Sequence, residues 1–325
     1  PKHNIKSVQI LKQFSTFVPK KKKMAGIYIH VPFCASRCIY CAFYTTTSLS
    51  SQDRLVQALC SELAMRRDYL LDKASPSSAI TIDTIYFGGG TPSQLSEQNL
   101  QRLFDTLYNK ESAFHISPDA EVTIECNPDD ITPQFAETIS RLPVNRISMG
   151  VQTFSDERLT FLRRRHKATD IAPAIERLRQ VGINNISIDL IFGFPKQTLD
   201  EWAIDLQNAI ELGIEHISAY SLMYEEGTPL FRLLQQERVS EIDDNLSLDM
   251  FNLLVDTLVA NNYEHYEISN FAREGFRSRH NASYWQAIPY LGLGPSAHSY
   301  DGNSRQWNVS NLRKYMDAIE NGRLP

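Results

Sequence analysis

Three of the five cysteines fall within eight residues, as Cys34-Ala-Ser-Arg-Cys38-Ile-Tyr-Cys41, a C-x3-C-x2-C run. Thiolates gathered this closely read as metal ligands, because a disulfide framework would spread its cysteines along the chain. Three thiolates hold three irons of a [4Fe–4S] cubane and leave the fourth iron without a protein ligand, whereas an electron-transfer cluster would use four cysteines. The free iron is a site for the amino and carboxylate groups of S-adenosylmethionine (SAM). Structural zinc is the competing chemistry, with His30 completing a Cys3His set. His30 lies inside the preceding strand pattern, however, where its side chain can point away from the loop. Cys60 and Cys126 have no partners in sequence and read as free buried cysteines.

Other groups fall at matching places further along. Gly88-Gly89-Gly90-Thr91-Pro92 closes a second strand pattern, Glu125 ends a third, Gln152 follows a fourth and Asp189 lies in a fifth. Glycines let the backbone approach a ligand that a side chain would block. Taken singly, each polar residue reads equally well as a helix cap. Together, at the same end of successive strands, they outline one pocket facing the cysteine loop. The chemistry suits SAM: a carboxylate such as Glu125 accepts from the ribose diol or the ammonium. An arginine within Arg163–Arg165 can fork onto the carboxylate.

The elements that must position these groups alternate in type. Strand patterns at Gly26–Val31, Thr84–Phe87, Glu121–Glu125, Arg146–Val151, Asn185–Ile191 and His216–Tyr220 are separated by helical ones. The latter are Asp53–Leu71, Glu97–Tyr108, Pro133–Ser140, Thr169–Val181 and Leu199–Leu212. Repeated β-then-α order predicts an α/β fold with a parallel sheet and right-handed crossovers. Six such units suit an incomplete (β/α)6-type barrel, whose C-terminal mouth is where chemistry sits. A doubly wound sheet is the alternative, but no G-x-G-x-x-G follows the first strand. After Tyr220 the rhythm changes to a long helix at Asn245–Asn261, a strand at Tyr263–Ile268, and a stretch rich in Gly, His, Tyr and Trp.

The expected organisation is a basic tail over 1–24, a barrel core over 25–230, an extension over 231–310, and over 311–325 the start of a C-terminal domain that looks incomplete. Residues 1–23 hold seven lysines and no acid, and they read as disordered or as translated sequence before a start at Met24. The chain is 42% hydrophobic, with a formal charge of −5, which fits a globular protein and argues against nucleic acid as a partner. No apolar run reaches the roughly 18 residues that span a bilayer.

These motifs resemble the radical SAM superfamily, and within it the oxygen-independent coproporphyrinogen III oxidase group, over residues 25 to about 320. The likeness rests on Tyr28-Ile-His-Val-Pro-Phe-Cys34, Gly88-Gly-Gly-Thr-Pro-Ser93 and Glu125-Cys-Asn-Pro128. It extends to Arg146-Ile-Ser-Met-Gly-Val-Gln152 and Asp189-Leu-Ile-Phe-Gly-Phe-Pro-Lys-Gln-Thr198. It implies Cys34, Cys38 and Cys41 as cluster ligands. It implies Tyr28, Gly89, Gly90, Thr91, Glu125, Gln152, Arg164 and Asp189 as SAM contacts. The group's oxidases carry a further cysteine two places after the third; here that place is Phe43, as in HemW-like heme chaperones. His280-Asn281-Ala-Ser-Tyr284-Trp285 resembles the H-N-x-x-Y-W motif of those chaperones, and Gly292-Leu-Gly-Pro-Ser-Ala-His298 the glycine-rich segment that follows it.

The resemblance therefore implies heme as cargo, with His280, Tyr284, Trp285 and His298 as candidate contacts. It also implies heme-acceptor proteins such as respiratory hemoproteins, and a flavodoxin or ferredoxin as electron donor if SAM is cleaved. A homodimer and a cytoplasmic or membrane-peripheral location complete the expectation. An imidazole is a common axial ligand of heme iron, and flat aromatics suit a porphyrin face. A buried, hydrogen-bonded core histidine is the competing reading of His280.

Overall fold

The computed structural model describes residues 24–71, 80–109 and 114–325; the basic tail expected over 1–23 lies outside them. Six strands succeed one another: β1 (Met24–Val31), β2 (Thr81–Gly89), β3 (His115–Cys126), β4 (Arg146–Gln152), β5 (Asn185–Phe192) and β6 (His216–Ser221). Between them run α1 (Gln52–Met65), α2 (Glu97–Leu107), α3 (Pro133–Ser140), α4 (Asp156–Phe161), α5 (Ala168–Gln180) and α6 (Leu199–Glu211). The helices start where their sequences supply caps. Ser96 accepts from the Asn99 N–H, Thr132 precedes Pro133, and Thr198 with Glu201 forms a capping box. Each of the first five strands pairs in parallel with the next in sequence. That order has no reversal, unlike a doubly wound sheet.

The remaining elements extend both edges. After α7 (Pro229–Gln235) and α8 (Asp244–Ala260), β7 (Glu264–Glu267) and β8 (Asn270–Ala272) add an antiparallel pair beside β6. Next, α9 (Arg279–Trp285) leads to β9 (Tyr290–Leu293), which runs parallel to β1, followed by the hairpin of β10 (His298–Tyr300) and β11 (Arg305–Trp307) and by α10 (Leu312–Glu320). The whole forms one eleven-stranded sheet in the order β11-β10-β9-β1-β2-β3-β4-β5-β6-β8-β7, which does not close on itself. The incomplete barrel is therefore the architecture. No helix among the described residues is long and apolar enough to cross a membrane.

Two local expectations change, and three short helices are added. The first helix stops at Met65 rather than Leu71, because the next residues bond as successive three-residue turns (Tyr69 to Arg66, Leu71 to Asp68). The strand expected at Tyr263–Ile268 is shorter and forms a hairpin with a partner at Asn270–Ala272. Helices α4, α7 and α9, of six or seven residues, are too short to show an amphipathic period.

Two faces of the sheet differ sharply. Outward residues such as Ile27, Ile29, Ile85, Phe87, Ile147, Met149, Ile186 and Ile188 are at most 1% exposed and meet the helices in one core. Inward residues are largely polar, and they build the site. Behind β9, a buried network ties the two ends of the fold. Glu62 of α1 accepts from Arg66 Nε (2.8 Å), Tyr315 Oη (2.6 Å), the Gly294 N–H (2.9 Å) and Asn308 Nδ2 (2.8 Å).

Candidate cofactor site

The cysteine loop leaves β1 and is laced to its surroundings by backbone bonds. Cys34 N donates to Thr46 O, Thr46 N to Pro32 O, Gly90 N to Val31 O and Thr91 N to Phe33 O. The loop thus lies flat on the turn that ends β2. That contact gives the glycine run a physical reason different from the expected one. A Cβ on Gly90 would stand 2.7–2.8 Å from the backbone of Pro32, Phe33 and Val31, and one on Gly89 (φ +104°) 2.5 Å from the His30 ring. The glycines let the cysteine loop dock on β2, and only then do they bound a ligand space.

That space is a cavity of about 540 Å³ at the C-terminal end of the strands. Cys34, Cys38 and Cys41 line one side; Gly89, Gly90, Thr91, Glu125, Gln152, Arg164 and Asp189 line the rest. Tyr28 does not line it: its hydroxyl lies 3.2 Å from His30 Nδ1, and its ring joins a stack with Tyr86 and His280 beneath the floor. Tyr86 takes the place on the wall, as do Tyr40, Ser148, Ser218 and Tyr220, none of which stood out in the sequence. A signal for Ser148 and Tyr86 existed, since they share the inward period-two face of residues at Gly150 and Gly88.

The site's charges are set by burial. Glu125 is pushed up to about 7 by burial, with Asp189 adding to the rise. The Tyr86 hydroxyl (2.8 Å) and the Gly89 N–H (3.1 Å) oppose it. Asp189 rises to about 6 for the same first reason, moderated by Ser218, Arg146 and Arg164. Burial also pushes the Cys34 thiol up to about 11 and the Cys41 thiol upward. Arg164 Nη1 donates to Cys38 Sγ at 3.4 Å, and its Nη2 bonds Asn127 Oδ1 and the Gly150 carbonyl. Gln152 is buried with φ +72°, a conformation costly for any residue but glycine, and its backbone ends β4 at the cavity wall.

The residues fit a cubane with SAM. Three sulfurs of the loop share one wall, the Arg164 Nε is buried and unpartnered, and two half-buried carboxylates face the space where a sulfonium cation and its ammonium would lie. They fit zinc poorly. Both His30 nitrogens are occupied, Nδ1 by Tyr28 and Nε2 by the Tyr44 carbonyl (3.0 Å). Cys60 and Cys126 remain free, the first accepting from Thr106 Oγ1 at 3.2 Å.

The heme candidates separate into two kinds. His280 is 1% exposed, with Nδ1 2.8 Å from Thr84 Oγ1 and Nε2 2.9 Å from Tyr284 Oη; burial and Arg146 hold it down to about 3, so it is neutral. This is the core-histidine arrangement, and neither nitrogen is free to meet iron in this conformation. Truncating it leaves a hole and two stranded hydroxyls. His280→Ala is therefore expected to destabilise the heme-free protein by about 2–4 kcal/mol in urea unfolding. His298 and Trp285 are exposed instead, and His298 stacks on the exposed Trp307 with centroids 5.8 Å apart.

Comparison with known proteins agrees with this geometry. Residues 28–208 match the Radical SAM superfamily. The heme chaperone HemW of Bacillus subtilis (strain 168) is 36% identical over 305 residues, covering 93% of this chain and 78% of its own. HemW of Mycobacterium tuberculosis (strain CDC 1551 / Oshkosh) is 36% identical over 304 residues, covering 92% and 75% respectively. Among solved structures, the coproporphyrinogen III oxidase HemN of Escherichia coli, a radical SAM enzyme, superposes with a TM-score of 0.77 at 25% identity, covering 93% of this chain and 71% of that one. The chain therefore belongs to the radical SAM superfamily and, within it, stands close to the HemW heme chaperones.

Proposed function

We propose that this protein is a heme chaperone built on a radical SAM core: it binds one [4Fe–4S] cluster through Cys34, Cys38 and Cys41, holds SAM in the cavity above Glu125 and Asp189, and carries heme to acceptor proteins. The observation that carries the reading is Phe43, which stands 69% exposed on the cavity lining two places after the third cysteine. A further thiol there belongs to the oxidase pattern; an exposed phenyl ring offers an apolar surface instead. The cluster, when bound with SAM, supplies a route to a 5′-deoxyadenosyl radical. The chain's own part is to bind and orient: Glu125 and Asp189 supply acceptors, Arg164 braces the Cys38 side of the loop, and Gly90 seats that loop on β2.

An oxidative decarboxylase acting on coproporphyrinogen III is the second reading, favoured by the superposition on HemN. An anaerobic heme titration of the cluster-reconstituted protein separates the two. Stoichiometric binding, seen as a shifted heme absorbance, is the expected result. With His298→Ala alongside, loss of the shift in the variant alone places an axial ligand at that exposed imidazole. Absence of binding together with carbon dioxide release from coproporphyrinogen would replace the chaperone reading by the enzyme.

SAM binding has its own test. Glu125→Gln keeps the shape of the side chain and removes an ionised acceptor, a loss of about 1.5–3 kcal/mol. SAM affinity at alkaline pH is expected to fall roughly 10- to 100-fold. In the wild type, affinity should drop as pH falls through about 7, where Glu125 gains its proton. The Gln variant should lose most of that dependence; equal affinity in the two proteins would remove Glu125 from the site.

A further inference from the structure

Beneath the cavity floor the barrel lumen contains a row of polar side chains with unmet hydrogen-bonding capacity. Thr123, Arg146 and Asn185 are in register across β3, β4 and β5. Thr123 lies two residues below Glu125 and Arg146 two below Ser148, so by the alternation of strands both face the lumen. Arg146 is 1% exposed, yet its Nε and Nη1 have no hydrogen-bond partner, and neither do Thr123 Oγ1 and Asn185 Oδ1. A guanidinium stays charged at any pH a protein meets. Burying one incompletely bonded is expensive, so the position calls for an explanation.

The explanation lies one step up the same strands. Ser148, above Arg146, pairs with Glu125, and Gly150, the next inward residue, pairs with Asp189. Both carboxylates therefore sit on strands flanking Arg146, on the lumen side, between it and the cavity. We propose that Arg146 is a positioning residue for SAM: a fixed buried cation that favours the ionised forms of Glu125 and Asp189 from below, through ordered water that completes its own hydrogen bonds, without touching SAM. The inference rests on the assignment of SAM to these two carboxylates made above.

Apart from Arg164, the other groups facing them carry no positive charge. From β1, β6 and α9, burial holds His30, His216 and His280 down as neutral rings. From β1, β2, β6 and α9, it keeps Tyr28, Tyr86, Tyr220 and Tyr284 protonated; Tyr266 of β7 is likewise pushed up. Of the remaining anions, Glu121 accepts from the Arg279 and His280 N–H groups (2.9 Å each), and Glu267 is bonded by Asn270. Arg164 approaches from the loop after α4 and bonds Cys38, Asn127 and Gly150, and its charge helps to moderate Asp189 from the cavity side. Arg146 is the cation in the lumen itself, and its charge acts on both carboxylates.

The test compares cluster-reconstituted wild type, Arg146→Gln and Arg146→Lys by equilibrium dialysis of SAM across about pH 5.5 to 9. Losing the cation should move the binding midpoint upward. Arg146→Gln is then expected to bind roughly tenfold or more weakly near pH 7 and to recover most of its affinity at the alkaline end, while Arg146→Lys stays near wild type. A uniform loss at every pH, or no loss, overturns the proposal and leaves Arg146 a packing residue. Carboxyl titration by difference infrared spectroscopy on the SAM-free proteins decides independently of ligand. An unchanged midpoint in Arg146→Gln, or wild-type Glu125 and Asp189 titrating far above about 7 if the variant does not fold, sinks it. Failure of the wild type to bind SAM at any pH would instead remove the SAM assignment, with the infrared result on Arg146 still standing.

Discussion

Cys38→Ala is expected to yield a folded protein that assembles no stable [4Fe–4S] cluster. Cys38 is the middle ligand of the loop and the one that Arg164 addresses through Nη1. Removing its sulfur leaves two thiolates for three protein-bound irons; Cys60 lies on α1, and Cys126, although it borders the cavity, is a buried residue of β3 rather than part of the loop. The fold should survive, because the loop's backbone bonds to Thr46, Gly90 and Thr91 use no sulfur. Iron and acid-labile sulfide after anaerobic reconstitution, with SAM binding in parallel, give the readout. Near-complete loss of both is expected, whereas Cys60→Ala should retain both. A cluster at wild-type occupancy in Cys38→Ala would remove that residue from the ligand set.

Glu62→Gln should cost more stability than any surface substitution. The carboxylate is wholly buried and accepts from Arg66, Tyr315, Gly294 and Asn308, so the amide loses both the charge and part of its acceptor capacity. Arg66, 6% exposed, is left as a buried cation facing neutral groups, the Asn308 side-chain oxygen and the Tyr69 ring. Breaking one half of such a pair costs about 3–5 kcal/mol. Urea unfolding should show the midpoint falling accordingly, with protection from hydrogen exchange lost first in α10, which carries Tyr315. The exposed ion pairs of Arg54 with Asp317 and Glu320 join the same two helices, and losing them should change the midpoint little. A Glu62→Gln midpoint equal to wild type would mean that α10 docks by apolar packing alone.

What could be read from the sequence follows a physical division. Groups whose chemistry depends on spacing along the chain, such as Cys34, Cys38 and Cys41, declare themselves locally. So do residues at strand ends, because alternating β and α patterns fix which end of the sheet they share; Glu125 and Asp189 were found this way. Tyr86 and Ser148 were not, since an inward residue in a buried strand has the same flanks as an outward one until the pleat is known. The glycines were located correctly but explained incompletely: their neighbours are Pro32 and His30, some sixty residues earlier. Glu62 was invisible, a helical glutamate whose partners Gly294, Asn308 and Tyr315 arrive far along the chain. His280 shows the limit of a motif, as spacing marks a residue without saying whether its nitrogens are already taken.

The position of β9 against β1 also bears on how the chain is made. β1 leaves the ribosome well before the strand covering its outer edge, Tyr290–Leu293 against Gly26–Ile29, which lies far along the chain from it. At roughly 5–20 residues per second, the wait is about 13–50 s. Throughout it, the nascent sheet presents an open run of backbone donors and acceptors on a strand of Ile, Tyr and Val, the kind of edge that recruits other chains. Yield of folded protein should therefore depend on elongation speed and on holdase supply between residues 31 and 290, in a way that the stability of the finished fold does not reveal.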